Sequence, residues 1–425
     1  MKAFHYLIVT VGLVFVAAAQ QQATRPLQLE DLFAIQRISE PAVSPDGKWG
    51  VYTLTTPILA ENKNTTDLWI APLSGGTPRQ LTNDPAADRQ AVWSPDGKWI
   101  AFESTRSGTS QIWIVSPDSG EAKQFTTLST GASQAVWSPD GKWIAYVSEV
   151  FPEFSDKPFE EADRLNKQKL DEMQSSKVKA RVITRLLYRH WDSWVEGKRK
   201  HIFVQPFAGP GVPTTPRNLT PGDRDAVPTS STFSAGIDFA FSPDSKEIAY
   251  TATPVPVREE AWNTNHDIFI VTTSGGTPLQ LTTNPAADGY PRYSPDGKYI
   301  AYRAQRTPGF EADRWELMLY DRATGKVRSL TENFDASVGS PVWSHDSKRI
   351  FFESEEHGRE PIFVVSLAGN DVKKVFDRGV NRTLRLLPDR KRLLFTHERA
   401  TRPVELYMVN LDGKNLTQVT HVNDQ

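Results

Sequence analysis

One short segment recurs along this chain and limits what it can fold into. Ser-Pro-Asp-Gly-Lys followed by an aromatic residue stands at Ser44–Trp49, Ser94–Trp99, Ser138–Trp143 and Ser294–Tyr299, with altered copies beginning at Ser242, Ser344 and Leu387. The aspartates of the seven copies are Asp46, Asp96, Asp140, Asp244, Asp296, Asp346 and Asp389, spaced 50, 44, 104, 52, 50 and 43 residues apart. A repeat of about 40 to 50 residues built from strands belongs to propellers rather than to helical solenoids. The step of 104 is one repeat plus an insertion of similar size.

Every copy has the same local grammar. An apolar stretch ending in Trp93, Trp137, Phe241, Tyr293 or Trp343 runs into the turn. There Pro suits the second position of a type I turn, and Gly follows where a positive φ costs little. An alternating, half-buried strand comes next, such as Ile100-Ala101-Phe102-Glu103-Ser104, then a third such as Gln111-Ile112-Trp113-Ile114. A Gly-rich turn delivers a fourth strand ending Gln80-Leu81-Thr82 or Gln280-Leu281-Thr282. Four antiparallel strands make one blade, so the pattern predicts an all-β, seven-bladed β-propeller. The first unit opens with its own leading strand near Pro41-Ala42-Val43, and the last finishes with its own outer strand at Leu416–Thr420. The ring should therefore close by side-chain packing between the first and last blades rather than by a shared sheet.

The expected organisation is a signal peptide over 1–19, a lead-in segment over 20–40 and the propeller over 41–425, with an insertion at about 150–199. Lys2 precedes the apolar run Leu7–Val16, which ends in the small residues Ala17-Ala18-Ala19, the pattern of a secretory signal and too short for a comfortable membrane span. A retained N-terminal anchor is the alternative. The chain has no cysteine, which implies export without lipidation or disulfides and leaves a large core to supply stability. A net charge of -2 with interspersed signs offers no basic footprint, so nucleic acid is excluded as a partner. Once the signal is cleaved, no membrane association is expected either.

Within the insertion, Glu160–Val182 is rich in helix formers and holds no Pro or Gly, which predicts one or two short helices on a blade rim. Insertions of this kind often lie on the binding face of a repeat protein, or are solvated excursions. Tyr188-Arg189-His190-Trp191-Asp192-Ser193-Trp194 then concentrates large and ionisable groups. Arg189, His190 and Trp191 are candidates for a binding surface, although aromatic area of this size favours a buried anchor for the insertion. Glu160 and Glu161 are the acidic pair with a sharp functional reading, since adjacent carboxylates can grip a protonated peptide amino terminus. Acidic residues in a first helical turn also simply favour the helix dipole.

The search for chemistry returns no catalytic residues. A Gly-x-Ser-x-Gly elbow is missing; Gly131-Ala132-Ser133-Gln134-Ala135 comes nearest, but it lies in a leading strand with no helix behind it. The histidines, at 5, 190, 201, 266, 345, 357, 397 and 421, show no metal-ligand spacing and are read as scattered surface or turn residues. No metal site and no cofactor are expected. One aspartate per blade at a fixed turn position is a turn-holding group rather than a calcium ligand. The aromatics flanking each turn are read as packing between blades.

Asp31-Leu32-Phe33, Ser44-Pro45-Asp46-Gly47, Asp67-Leu68-Trp69, Arg189-His190-Trp191-Asp192, Gly309-Phe310-Glu311-Ala312-Asp313-Arg314-Trp315 and Asn423-Asp424 occur in an order that resembles the N-terminal propeller of prolyl oligopeptidase family serine peptidases. The acylaminoacyl-peptidase and dipeptidyl-peptidase-like exported branch is the most similar, and the likeness runs from about Leu27 to the C-terminus. The Ser-Pro-Asp-Gly repeat is shared with TolB, whereas the Arg-His-Trp-Asp and Gly-Phe-Glu-Ala-Asp-Arg stretches are more specific. The resemblance implies a propeller that caps an α/β-hydrolase domain and admits short peptides to a Ser-Asp-His triad held in that domain. None of those catalytic residues can be carried onto this chain, and the dipeptidyl-peptidase double Glu is not transferred to Glu160-Glu161. The implied protein is periplasmic or secreted and inactive alone. The alternative is a self-standing TolB-like propeller that binds proteins or peptides.

Overall fold

The structure is a computed structural model that describes residues 26, 28–230 and 232–424, and of Asn370 the backbone alone. The proposed signal peptide lies outside the described residues. Seven four-stranded antiparallel sheets follow one another along the chain, over 37–80, 88–124, 133–218, 239–280, 288–329, 342–376 and 380–418. In each sheet the strand order is the order of the sequence. First strands touch their counterparts in neighbouring blades, and the first strand of blade one touches that of blade seven. The chain is a seven-bladed propeller whose first strands are innermost and line the central channel.

The repeated turn explains its own residue types. Ser44 Oγ donates to Asp46 Oδ1 at 2.6 Å and accepts from the Trp49 N–H at 2.9 Å, while the Lys48 N–H donates to the same carboxylate oxygen at 3.0 Å. Copies at Ser94, Ser138, Ser242, Ser294 and Ser344 make the same serine–aspartate bond at 2.6–2.7 Å. The Ser44 hydroxyl, followed by the Lys48 backbone and ammonium groups acting against partial burial, holds the Asp46 carboxyl below its ordinary pKa. In the seventh copy Leu387 replaces serine, and Asp389 turns instead to the Lys391 and Arg392 amides. The glycine position needs a left-handed backbone, with Gly47 at φ 71°. Two blades place serine there, and the hydroxyls bridge to an earlier blade: Ser245 Oγ accepts from Asp140 N–H at 3.1 Å, and Ser347 Oγ from Asp296 N–H at 3.0 Å.

Between blades the side chains supply the cohesion. An apolar cluster fills each of the seven junctions. Trp93, Trp137 and Trp343 lean across them, each indole N–H donating to a carbonyl of another blade, Ala42, Val92 and Arg292. A second repeating device appears in the fourth strands. Thr82, Thr126, Thr220, Thr282, Thr331 and Thr420 each accept a third-strand backbone N–H at 2.8–3.0 Å, which satisfies a buried donor that the short outer strand leaves over.

Ring closure takes the form the strand pattern implied. Arg37–Val43 pairs with the second strand of its own blade, and the last blade draws all four strands from 380–418. Ile38, Tyr52 and Leu54 pack against Leu387, Leu394, Leu406 and Met408. One polar contact is added at this seam. The Asn423 side chain accepts from Gln36 N–H at 2.9 Å and donates to Gln36 O at 3.1 Å, standing in for a strand partner, while its own N–H donates to Glu405 Oε1 at 2.9 Å.

Candidate functional site

The insertion leaves the third blade after Val150 and returns at Arg199. Its helix spans Phe159–Ser175, shorter at the C-terminal end than the composition of 160–182 suggested; Ser176 already has an extended backbone. Two residues dock it. Asp163 accepts from the Ser129 N–H and hydroxyl, both at 2.8 Å, and buried Asn166 accepts from Phe151 N–H at 2.9 Å. A cavity of about 520 Å³ opens between helix and blade, walled by Phe159, Phe203, Pro216 and Pro221 with Glu160 and Asp163 at its edge.

The sequence candidates are not brought together into a site. Glu160 lies at the helix start, its Oε1 3.4 Å from the Thr215 hydroxyl, and Glu161 pairs with Lys157 at 2.8 Å on the exposed side. Arg189 and His190 form one arm of a two-stranded hairpin with Ser193–Trp194, and Trp191 sits in its turn. The anchor expectation fails here: Trp191 is 80% exposed, and Tyr188 and Trp194 stack on each other at the surface. The large side chains of the hairpin stay at the surface, so the return of the insertion is pinned elsewhere. Buried Arg199 does this, reaching Asp223 and Asp225 at 2.7 Å and Glu260 at 3.0 Å.

The histidine reading also needs correction. His201 and His397 are fully buried, because each completes a hydrogen-bond network beneath a strand. His201 Nε2 faces Gly222 O at 2.9 Å, which assigns the proton to that nitrogen and lets Nδ1 accept from Asn218; burial pulls its pKa down to about 4. His397 sits among Phe376, Phe395 and Tyr407 with Nδ1 2.8 Å from Asn381 Oδ1, and burial lowers it to about 4 as well.

The channel is the part of the ring that sequence reasoning missed. In five blades the first strand carries a bulge, with register shifts at 39–42, 89–92, 133–136, 289–292 and 382–385 and a left-handed residue inside each, namely Glu40, Gln90, Gln134, Tyr290 and Thr383. Bulges expose backbone N–H groups; half-buried Glu40 and buried Glu103 cap two of them, and buried Glu353 caps an amide just before the first strand of blade six. Glu40 Oε2 accepts from Gln90 N–H at 2.8 Å, Glu103 Oε1 from Gln134 N–H at 2.6 Å, and Glu353 Oε1 from Ser340 N–H at 2.9 Å. Burial raises Glu353 to about 6 and lifts Glu103 above its ordinary value. The glutamates are visible in the sequence, but no spacing announces that they serve neighbouring blades.

These carboxylates are committed to wall amides, and the described residues hold no group of histidines and acids able to bind a metal ion. Ser133 lies in the inner strand Ser133–Trp137, without the strand-to-helix elbow of a hydrolase nucleophile. Among the described residues, no helix is long and apolar enough to cross a membrane. What the geometry offers is a passage enclosed by the inner strands, with charged side chains along it.

Comparison with known proteins agrees with this architecture. Residues 31–176 match the PD40 family model, a TolB beta propeller domain. Dipeptidyl-peptidase 5 of Porphyromonas gingivalis is 32% identical over 348 residues, covering 81% of this chain and 48% of that protein. The Porphyromonas endodontalis dipeptidyl-peptidase 5 is 30% identical over 396 residues, covering 93% and 55%. The chain thus spans about half the length of the curated relatives it matches. Acylaminoacyl peptidase of Pyrococcus horikoshii superposes with a TM-score of 0.66 at 18% identity, over 92% of this chain and 53% of that one. At that identity the likeness shows the fold alone. The chain is thus a seven-bladed β-propeller that carries a PD40 match over residues 31–176 and is similar in sequence to about half of two dipeptidyl-peptidases 5.

Proposed function

We propose that this propeller is the noncatalytic, substrate-gating part of a secreted or periplasmic serine peptidase of the prolyl oligopeptidase kind. A separate α/β-hydrolase domain supplies the Ser-Asp-His triad, and the ring restricts that domain to short peptides. The observation that carries the reading is homology to dipeptidyl-peptidases 5 over about half their length, in a chain whose described residues hold no nucleophile elbow. A channel enclosed by seven inner strands passes an extended peptide and turns away a folded domain.

The reading frame beyond codon 425 is the decisive test. A hydrolase with Gly-x-Ser-x-Gly in continuity, or encoded next door, supports the proposal; an unrelated neighbour favours the TolB-like binding propeller. A serine-reactive fluorophosphonate probe should leave this chain unlabelled, and labelling would overturn the noncatalytic assignment. Fractionation of cells expressing the full chain tests export: recovery from the cytoplasm with residues 1–19 intact contradicts it.

A further inference from the structure

Two guanidinium groups in the channel bond only to uncharged partners. Arg385 is solvent-exposed on the last inner strand and donates to Leu384 O at 3.0 Å. Arg292, on the fifth, donates to Pro291 O and Ile237 O, both at 2.7 Å, and its guanidinium carbon lies 3.6 Å from the centre of the Tyr290 ring. Carbonyls and a phenol ring leave both positive charges intact. Arginine carries five N–H donors, so each group keeps several free.

Of the other arginines nearby, buried Arg303 is sealed into the wall over the Trp315 ring and two more are paired with acids. Arg382 pairs with Glu360 at 2.6 Å and Arg89 lies 3.8 Å from Glu103. The acids, by contrast, face the wall: Glu40 takes the Gln90 amide and the Thr53 hydroxyl, Glu353 takes the Ser340 amide, and buried Asp238, whose charge Arg292 feels, takes the Ser234 hydroxyl. Arg292 and Arg385 also sense each other. Although Arg385 is open to solvent, the ring crowded around it lowers its pKa first; Arg292 lowers it further, while Tyr290, Glu353 and Glu40 oppose this. Two like charges on inner strands of one channel, each with unused donors, are relieved by an anion that binds there.

We propose that Arg292 and Arg385 form a carboxylate-binding site in the channel, by which the propeller selects peptides carrying an acidic side chain or a free C-terminus. The planar fork of arginine matches a carboxylate in two-point geometry, and Tyr290 holds the Arg292 plane in place. The ligand's being a peptide rests on the gating function above; the site itself rests on the two guanidinium groups.

The test is titration of this chain with fluorescent tetrapeptides in matched pairs, Glu against Gln at one position and C-terminal acid against amide. Each carboxylate the site recognises should tighten binding about tenfold at low salt, less at high salt. The Glu/Gln arm reports side-chain recognition and the acid/amide arm recognition of the terminus. Arg385→Gln, at an exposed position, should abolish the preference without changing the melting temperature. Arg292→Gln should do the same, and Arg292→Lys should restore part of it if the loss is one of charge rather than folding. Equal affinity within both pairs, a preference that survives both glutamine substitutions, or no peptide binding overturns the site. Such a failure beside a downstream hydrolase would sink this inference alone; an unrelated downstream frame with the carboxylate preference intact would sink only the peptidase reading.

Discussion

Replacing Asn423 by alanine should loosen the ring at one seam and leave the other six junctions unchanged. The amide closes the circle by accepting from Gln36 N–H and donating to Gln36 O, two half-buried neutral bonds. At roughly 1 kcal/mol each, their loss costs about 2 kcal/mol. The apolar cluster at the seam, Ile38 and Leu54 against Leu394 and Leu406, is untouched, so the ring opens more often without coming apart. For a chain of 425 residues the unfolding entropy is about 0.9 kcal/mol/K, so the melting temperature should fall by only about 2 °C. Hydrogen exchange is the sharper assay. Amides of Arg37–Val43 and Arg402–Asn410 should exchange roughly 30-fold faster, while those of blades three and four keep their rates. Asn423→Asp should cost at least as much at neutral pH, since it loses the donor and sets a carboxylate beside Glu405. Unchanged exchange at the seam, or acceleration spread evenly over all blades, would refute the idea that this amide closes the ring.

Arg390 holds a left-handed backbone at φ 61°, so Arg390→Gly should raise stability by about 1 kcal/mol in denaturant titration. Ser245→Gly relieves the same strain but removes the bond to Asp140, and should give no gain. Burial raises the Asp288 pKa to about 7, far above its value in the unfolded chain. The proton is thus held more tightly in the folded state, and the associated stability is full below about pH 4 and lost as pH rises towards 7. Asp288→Asn should flatten that fall, and an unaltered stability profile between pH 4 and 7 counts against it. His201 and His397, lowered to about 4, act oppositely: their contribution is present above about pH 6.5 and lost on acidification, with a slope of up to about 2.7 kcal/mol per pH unit for the pair. Histidine NMR titration between pH 7 and 4 checks this; an ordinary midpoint for either ring refutes it. Trp191→Ala should change stability by less than about 0.5 kcal/mol, and a larger loss would reinstate the anchor.

What the sequence determined by itself was everything that repeats or is local. The Ser-Pro-Asp-Gly turn closes through bonds within six residues, so its recurrence marks each blade, and counting copies counts blades. The fourth strands were legible in part, through the ends Leu81-Thr82 and Leu281-Thr282 and the outer strand Leu416–Thr420, while the amide that each threonine accepts emerged only from the folded sheet. Only the tertiary structure decided what passes between blades or across the lumen. Glu40 caps an amide 50 residues away, Asn423 meets Gln36 from the other end of the chain, and Arg292 and Arg385 come to share one passage because a ring bends the first strands of blades five and seven around it. The anchor expectation failed for the same reason: whether Trp191 is buried depends on what the folded blade places over its hairpin, and no local pattern of residue types encodes that.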